Sequence, residues 1–183
     1  MSDIKKYKFR KAKISDGKEL EKLISLSSTL VNRKYYSKDI INAAIGNIWA
    51  VDEQLILDET YWVVENQNKE IIGCGGWSKR KLLFGSSKTI NNKNDELTVG
   101  VDPAKIRAFF VHPDYIRRGI GNELLKICEG QAKLVGFTSL ELIATLSGEK
   151  LYKARGFLEN RRIDVDLGNG IVGEAVEMSK VLN

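Results

Sequence analysis

The chain has 183 residues, 43% of them hydrophobic and 29% charged. That length and balance exclude a disordered or fibrous protein and fit one domain, which buries roughly two thirds of its unfolded surface without needing disulfides or a structural metal. The formal charge of +5 suits a polyanionic ligand; the short basic clusters lack the aromatic series of a stacking surface, so no nucleic-acid partner is expected.

In chain order, Tyr7 to Ile14 reads as an opening strand. Asp16 to Leu30 places Leu20, Leu23, Ile24 and Leu30 on one helical face, with Ser15 or Asp16 able to cap it. A second helix is predicted from Ser37 to Ile45, capped by Ser37. Gln54 to Asp58 reads as a brief extended segment. Tyr61 to Asn66 and Glu70 to Trp77 read as a hairpin around the polar turn Gln67 to Lys69. In its second strand, Gly73, Gly75 and Gly76 allow a bulge or a close backbone approach.

The stretch from about 80 to 101 is irregular, with turn-forming runs at Ser86-Ser87 and Asn91 to Asp95. Lys105 to Val111 is a strand rich in β-branched and aromatic residues, and His112-Pro113-Asp114 ends it. A helix follows from near Gly119 to Leu134, with Glu129 and Lys133 as a solvent-facing i,i+4 pair and Gly136 closing it. Ser139 to Leu146 returns as a strand parallel to the first. Glu149 to Ala154 is a short helix. Arg161 to Val165 and Ile171 to Lys180 form a hairpin around Asn169-Gly170.

Cys74 and Cys128 show no metal-ligand spacing, and no metal site is expected. Met1 to Arg10 is polar and lysine-rich, unlike a secretory signal, and no run reaches the ~18 apolar residues of a membrane span. A cytoplasmic setting without a membrane partner is the expectation.

The chemistry begins where the central strand turns into its helix. A starting helix leaves about four backbone N–H groups without partners, aimed at whatever sits at its end. An anion satisfies them and meets the positive end of the macrodipole. Gly119 and Gly121 clear side chains from the approach, and Arg117 and Arg118 add charge. Neither the ATPase phosphate loop nor the dinucleotide fingerprint fits this spacing.

The segment Phe109-Phe110-Val111-His112-Pro113-Asp114-Tyr115-Ile116-Arg117-Arg118-Gly119-Ile120-Gly121 resembles the acetyl-CoA motif of the GCN5-related N-acetyltransferase (GNAT) superfamily. Leu151-Tyr152-Lys153-Ala154-Arg155-Gly156-Phe157 is similar to its second signature. Ile116 stands where that family usually has glutamine or arginine, and Leu151 replaces a frequent aromatic residue. The resemblance implies an α/β (α+β) fold: a mixed, mostly antiparallel twisted sheet with a splay between its central parallel strands and flanking helices, residues 1–183 forming a single domain.

By the same resemblance, Phe110 and Val111 lend backbone groups to the pantetheine arm. Arg117, Arg118, Gly119, Ile120, Gly121 and Asn122 surround the diphosphate, and Tyr152 gives a proton to the leaving sulfur. The implied activity is transfer of an acetyl group from acetyl-CoA to a primary amine of a small molecule, by direct transfer in a ternary complex, with CoA as product. A CoA-binding sensory or interaction module and a protein or peptide N-acetyltransferase are the other readings. For the general base, Glu141, Asp95, Glu96, His112 and a water-mediated route all stay open. Trp77, Trp49, Tyr35 and Tyr36 are candidates for an amine pocket, Cys74 is expected to be buried, and exposed strand edges leave room for a homodimer.

Overall fold

The computed structural model describes residues 3–82 and 95–182. The expected turns at Ser86-Ser87 and over Asn91 to Asn94 lie outside them. Among the described residues seven strands form one sheet: β1 (Lys8–Lys11), β2 (Tyr61–Glu65), β3 (Ile71–Ser78), β4 (Ala104–Val111), β5 (Ser139–Ala144), β6 (Leu158–Asp166) and β7 (Val172–Val181). Their order across the sheet is β1-β2-β3-β4-β5-β7-β6, and every neighbouring pair is antiparallel except β4 and β5. This is the mixed, mostly antiparallel α/β sheet expected.

The helices are α1 (Gly17–Asn32), α2 (Lys38–Ala44), α3 (Glu53–Leu57), α4 (Ile120–Val135) and α5 (Glu149–Ala154). On one face of the sheet, Leu20, Leu23 and Ile24 of α1 pack with Tyr61, Val63 and Cys74. On the other, Ile120 and Leu124 of α4 meet Val64 and Ile72, while Leu125, Cys128 and Ala132 meet Ile106 and Leu140. Leu124 and Leu125 are fully buried, and each such side chain stabilises by about 1.5–3 kcal/mol.

Most elements lie within a few residues of their predicted bounds, and two local readings are corrected. The segment read as extended from Gln54 is the helix α3, because the Asp52 carboxylate accepts from the Gln54 N–H at 3.1 Å and caps it. Glu129, expected on the wet face of α4, is buried, where Arg155 and Lys180 donate to its two oxygens at 2.7 and 2.8 Å. The hairpin signal holds: Asn169 and Gly170 take φ of 53° and 75°, and Ile171 N–H donates to the Gly168 carbonyl.

The irregular stretch is anchored at both ends. Lys81 N–H donates to Asp95 O, Leu97 N–H donates to Lys79 O, and Leu97 is buried in the α4-side core.

Candidate active site

The site is built by a parting of strands. β4 and β5 are in register only at Ala104↔Leu140 and Lys105↔Glu141; past these pairs, among the described residues, β5 pairs only with β7 and the facing edge of β4 has no strand beside it. An edge left open inside a sheet must have its N–H and C=O groups satisfied from elsewhere.

The hydrogen-bond pattern shows which groups face the opening. His112 N–H donates to Ile72 O at 2.9 Å on the β3 side. Residues alternate along an antiparallel ladder, so Val111, opposite Gly73, turns its N–H and carbonyl to the open edge, and Phe110, opposite Cys74, turns its own toward β3. Phe110 lines the cleft, and by the register its main-chain groups turn toward β3, so that Val111 is the residue of this pair whose N–H faces the opening.

A bulge sets this phase. Between Gly76↔Arg107 and Cys74↔Phe110, β4 spends one residue more than β3, and Ala108 sits at φ 56°. The Ala108 carbonyl is held by the hydroxyl of buried Tyr61 at 3.2 Å. Across the strand, Ser27 of α1 donates to the Val111 carbonyl at 2.9 Å. Neither anchor is legible in a sequence motif, since both partners are distant in the chain.

Glycines on β3 make room for this arrangement. A Cβ on Gly75 would lie 2.8 Å from the Phe109 ring, and one on Gly73 would lie 2.9 Å from Ile120 Cγ2. Close approach, one of the two roles foreseen for these residues, is what they provide.

Gly119 begins α4 at φ 88°, a conformation glycine takes without strain, and no side chain caps that end. Among the described residues, no protein acceptor is found for the N–H groups of Ile120, Gly121 and Asn122. These groups and the open edge of β4 border one cleft of about 1030 Å³. Arg117, Gly119, Ile120, Gly121, Asn122, Phe110, Val111 and Tyr152 all line it. Ile120 contributes only backbone, because its side chain is buried against β3. Arg118 is not among the lining residues; its guanidinium rests 5.0 Å from the Tyr115 ring centroid.

Tyr152 reaches the cleft from α5, with its ring edge-on to Phe109 and Phe157 at 6.3 and 5.8 Å. Burial pushes its hydroxyl above the ordinary phenol value, and the neighbouring Cys128 adds to the effect. It therefore keeps its proton throughout the physiological range.

The base candidates do not converge on it. Glu141 is ion-paired with Lys105. Glu96 pairs with Lys79 at 2.9 Å, and neither it nor Asp95 lines the cleft. His112 caps the turn Pro113–Tyr115, its Nδ1 accepting the Asp114 N–H at 3.2 Å.

Beyond the parting, the link from α1 to α2 crosses the cleft. The Tyr36 hydroxyl donates to Glu174 O at 2.8 Å and accepts from Leu146 N–H at 2.9 Å. Ser147 Oγ donates to Asn32 Oδ1 at 2.6 Å. Tyr36 and Trp49, edge-on at 5.9 Å, line this end together with Tyr35. Trp77 instead packs on Phe137 in the core. Cys74 is wholly buried, and burial pushes its thiol up to about 12.

No metal-holding cluster of His, Cys, Asp and Glu occurs among the described residues, nor a helix long and apolar enough to cross a membrane.

No curated protein matches the chain in sequence. Among solved structures, the fold is similar over 96% of this chain and 95% of the other to the GCN5-related N-acetyltransferase "Aminotransferase, Class-II" from Rhodopseudomonas palustris, at 20% identity and a TM-score of 0.69. It is similar to the PaiA N-acetyltransferase of Thermoplasma acidophilum in complex with coenzyme A, at 17% identity and a TM-score of 0.62 over 96% and 98%. A chimera of spermidine N-acetyltransferase SpeG from Vibrio cholerae and hSSAT matches at 15% identity and 0.61 over 97% and 96%. At these identities the likeness is one of fold. The family description "Acetyltransferase (GNAT) domain" matches residues 57–159, a span that holds the hairpin, the parted strands, α4 and Tyr152, and the chain therefore belongs to the GNAT acetyltransferase family.

Proposed function

We propose that this chain moves the acetyl group of acetyl-CoA directly onto the primary amine of a small molecule, both substrates being bound at once. The observation that carries the reading is that the open edge of β4 and the partnerless N–H groups at the start of α4 border the same cleft. An amide-bearing arm fits beside the edge as a substitute strand, and a diphosphate fits the helix start. The residues present thus suit the donor at both of its recognisable ends.

Acetyl-CoA supplies the activated thioester. Val111 N–H is a fixed donor for the negative charge that builds on the carbonyl oxygen. Ser27 holds the Val111 carbonyl and Tyr61 that of Ala108, so this donor needs little reorganisation. Ile120, Gly121 and Asn122 hold the diphosphate through their N–H groups, with Arg117 adding charge.

Tyr152 hydrogen-bonds the sulfur as the C–S bond breaks. An ordinary thiol has a pKa of ~8.5 and is therefore more acidic than this buried phenol. The proton that finally rests on sulfur thus originates on the attacking amine, and Tyr152 passes it on without staying ionised. The carboxylates lining the cleft all have other engagements or face outward: Asp52 pairs with Arg107, Glu174 with Arg162, and the Asp114 side chain is 84% exposed. Water carries away the proton that makes the amine neutral, and positioning of the two reactants supplies much of the acceleration.

The test is a thiol-release screen with acetyl-CoA over amines, amino acids and peptides, with products identified by mass. Acetylated product with one acceptor class is the expected result. CoA binding without thiol release from any acceptor would leave the chain a binding module and end the catalytic reading.

A further inference from the structure

The acceptor end of the cleft carries an apolar surface and one deeply placed charge pair. Its walls include Ile40, Ala44, Trp49, Ile143, Leu167 and Ala175. Among them, Arg107 Nη2 lies 3.0 Å from Asp52 Oδ2, the two side chains being 3% and 2% exposed. Both residues border the cleft.

Burying an ion pair costs several kcal/mol per charge before mutual attraction repays it, and apolar side chains of similar volume often stabilise a fold as well or better. Stability alone therefore gives little reason for a guanidinium here. Its position gives a better one. Arg107 directly precedes the bulge at Ala108, and it borders the same cleft as the open edge at Val111. A small molecule lying along that cleft can therefore meet both the open edge and Arg107.

The surrounding charges have a matching sign. Arg33 and Lys34 also border the cleft. On the facing wall, Glu174 is engaged by Arg162 at 2.7 Å. A polycationic acceptor would meet these cations with its own charge, whereas an acid is drawn inward. A guanidinium carries five N–H donors in a planar fork and can serve two carboxylates at once.

We infer that the acceptor is a small apolar amino acid, whose carboxylate Arg107 holds beside Asp52 while its amine faces the open edge of β4. This rests on the acyl-transfer reading above, with Arg107 as the residue that decides acceptor class.

The test uses matched pairs that differ only in the acid: leucine against isopentylamine, phenylalanine against 2-phenylethylamine, and each amino acid against its amide, with spermidine as the polycation. Binding is measured by calorimetry on the free and the CoA-saturated chain, and turnover by thiol release. The expected result is at least 30-fold tighter binding of the free acids, about 2 kcal/mol, and no turnover of spermidine.

Arg107→Lys should cut the acid-over-amine ratio about tenfold, since it keeps charge but loses the fork. The double variant Arg107→Gln, Asp52→Asn removes both charges together, so no lone buried ion is left, and should bring the ratio near one. Circular dichroism establishes that each variant is folded; a double variant that does not fold leaves the matched pairs on the wild type and on Arg107→Lys to decide. Equal binding of acid and amine by the wild type, preference for spermidine, or a variant that weakens acids and amines alike would overturn the inference. Acid-selective binding without CoA binding would support Arg107 and count against the acyl-transfer reading, so the two failures are distinguishable.

Discussion

Tyr152 is placed by packing before it is placed by chemistry. Its ring is wedged edge-on between Phe109 and Phe157, so the hydroxyl position is set by the same core that sets β4. Tyr152→Phe keeps that wedge and deletes one O–H. The single-turnover rate of acyl transfer should fall roughly 10²-fold, within the range for a positioned acid, while CoA affinity stays within a factor of about two. An unchanged rate would remove Tyr152 from the mechanism. Its raised pKa carries a sign: the donor form persists above pH 10, so the alkaline fall in rate should lie above that of a free phenol. The two arginines separate at the same scale. Arg117 lines the cleft and Arg118 rests on Tyr115, so Arg117→Ala should weaken CoA binding about tenfold and Arg118→Ala less than threefold, a charge-assisted contact being worth about 1.5–3 kcal/mol. Equal losses in calorimetry would show that Arg118 leaves its ring to bind phosphate.

At the scale of elements, the start of α4 is held against the sheet by an absence of side chains. Gly73 lets Ile120 seat on β3, and a Cβ there would come within 2.9 Å of it. Gly73→Ala should therefore push the N-terminal turn of α4 outward, costing about 1–3 kcal/mol of stability and raising the Kd for CoA. Adding Ile120→Ala removes the clash, so the pair should couple in a double-mutant cycle with partial recovery of affinity. Independent, additive losses would mean that Gly73 does not set the height of the helix. The strand-helix turn and its glycines were legible in sequence because the signal is local: a proline-ended strand, a Gly-x-Gly step and a 3.6-residue apolar period follow one another. What was not legible depends on partners far along the chain. Glu129 reads as solvent-facing until Arg155 and Lys180 close on it. The α3 helix reads as extended in sequence because the three-residue apolar run Leu55-Ile56-Leu57 has no clear period, and the helix start rests on a single cap at Asp52. The bulge at Ala108 is marked by no residue type, since alanine rarely adopts φ of 56°.

Across the whole molecule, titratable groups sealed into the two faces of the sheet link its stability to alkaline pH. Tyr61 and Cys74 are fully buried on the α1 side; Cys128 and Tyr152 lie on the α4 side. Burial pushes all four upward, Cys74 to about 12. In the unfolded chain a thiol ionises from about pH 8.5, whereas the folded chain keeps its thiols protonated well beyond. Between those limits the unfolded state binds fewer protons than the native one, so the stability of unfolding has a negative slope with pH. The contribution is whole below the unfolded value and is lost progressively as pH rises toward 12 for Cys74. Urea midpoints measured at pH 7, 9 and 10.5 should fall steadily, without an added reductant or metal effect. Cys74→Ala, Cys128→Ala should begin from a lower midpoint, because two core side chains are truncated, yet lose less of it across the same range. If the wild type and the double variant fall in parallel, the thiols are not the source of the slope, and the phenols of Tyr61 and Tyr152, ionising in the unfolded chain near pH 10, account for the loss.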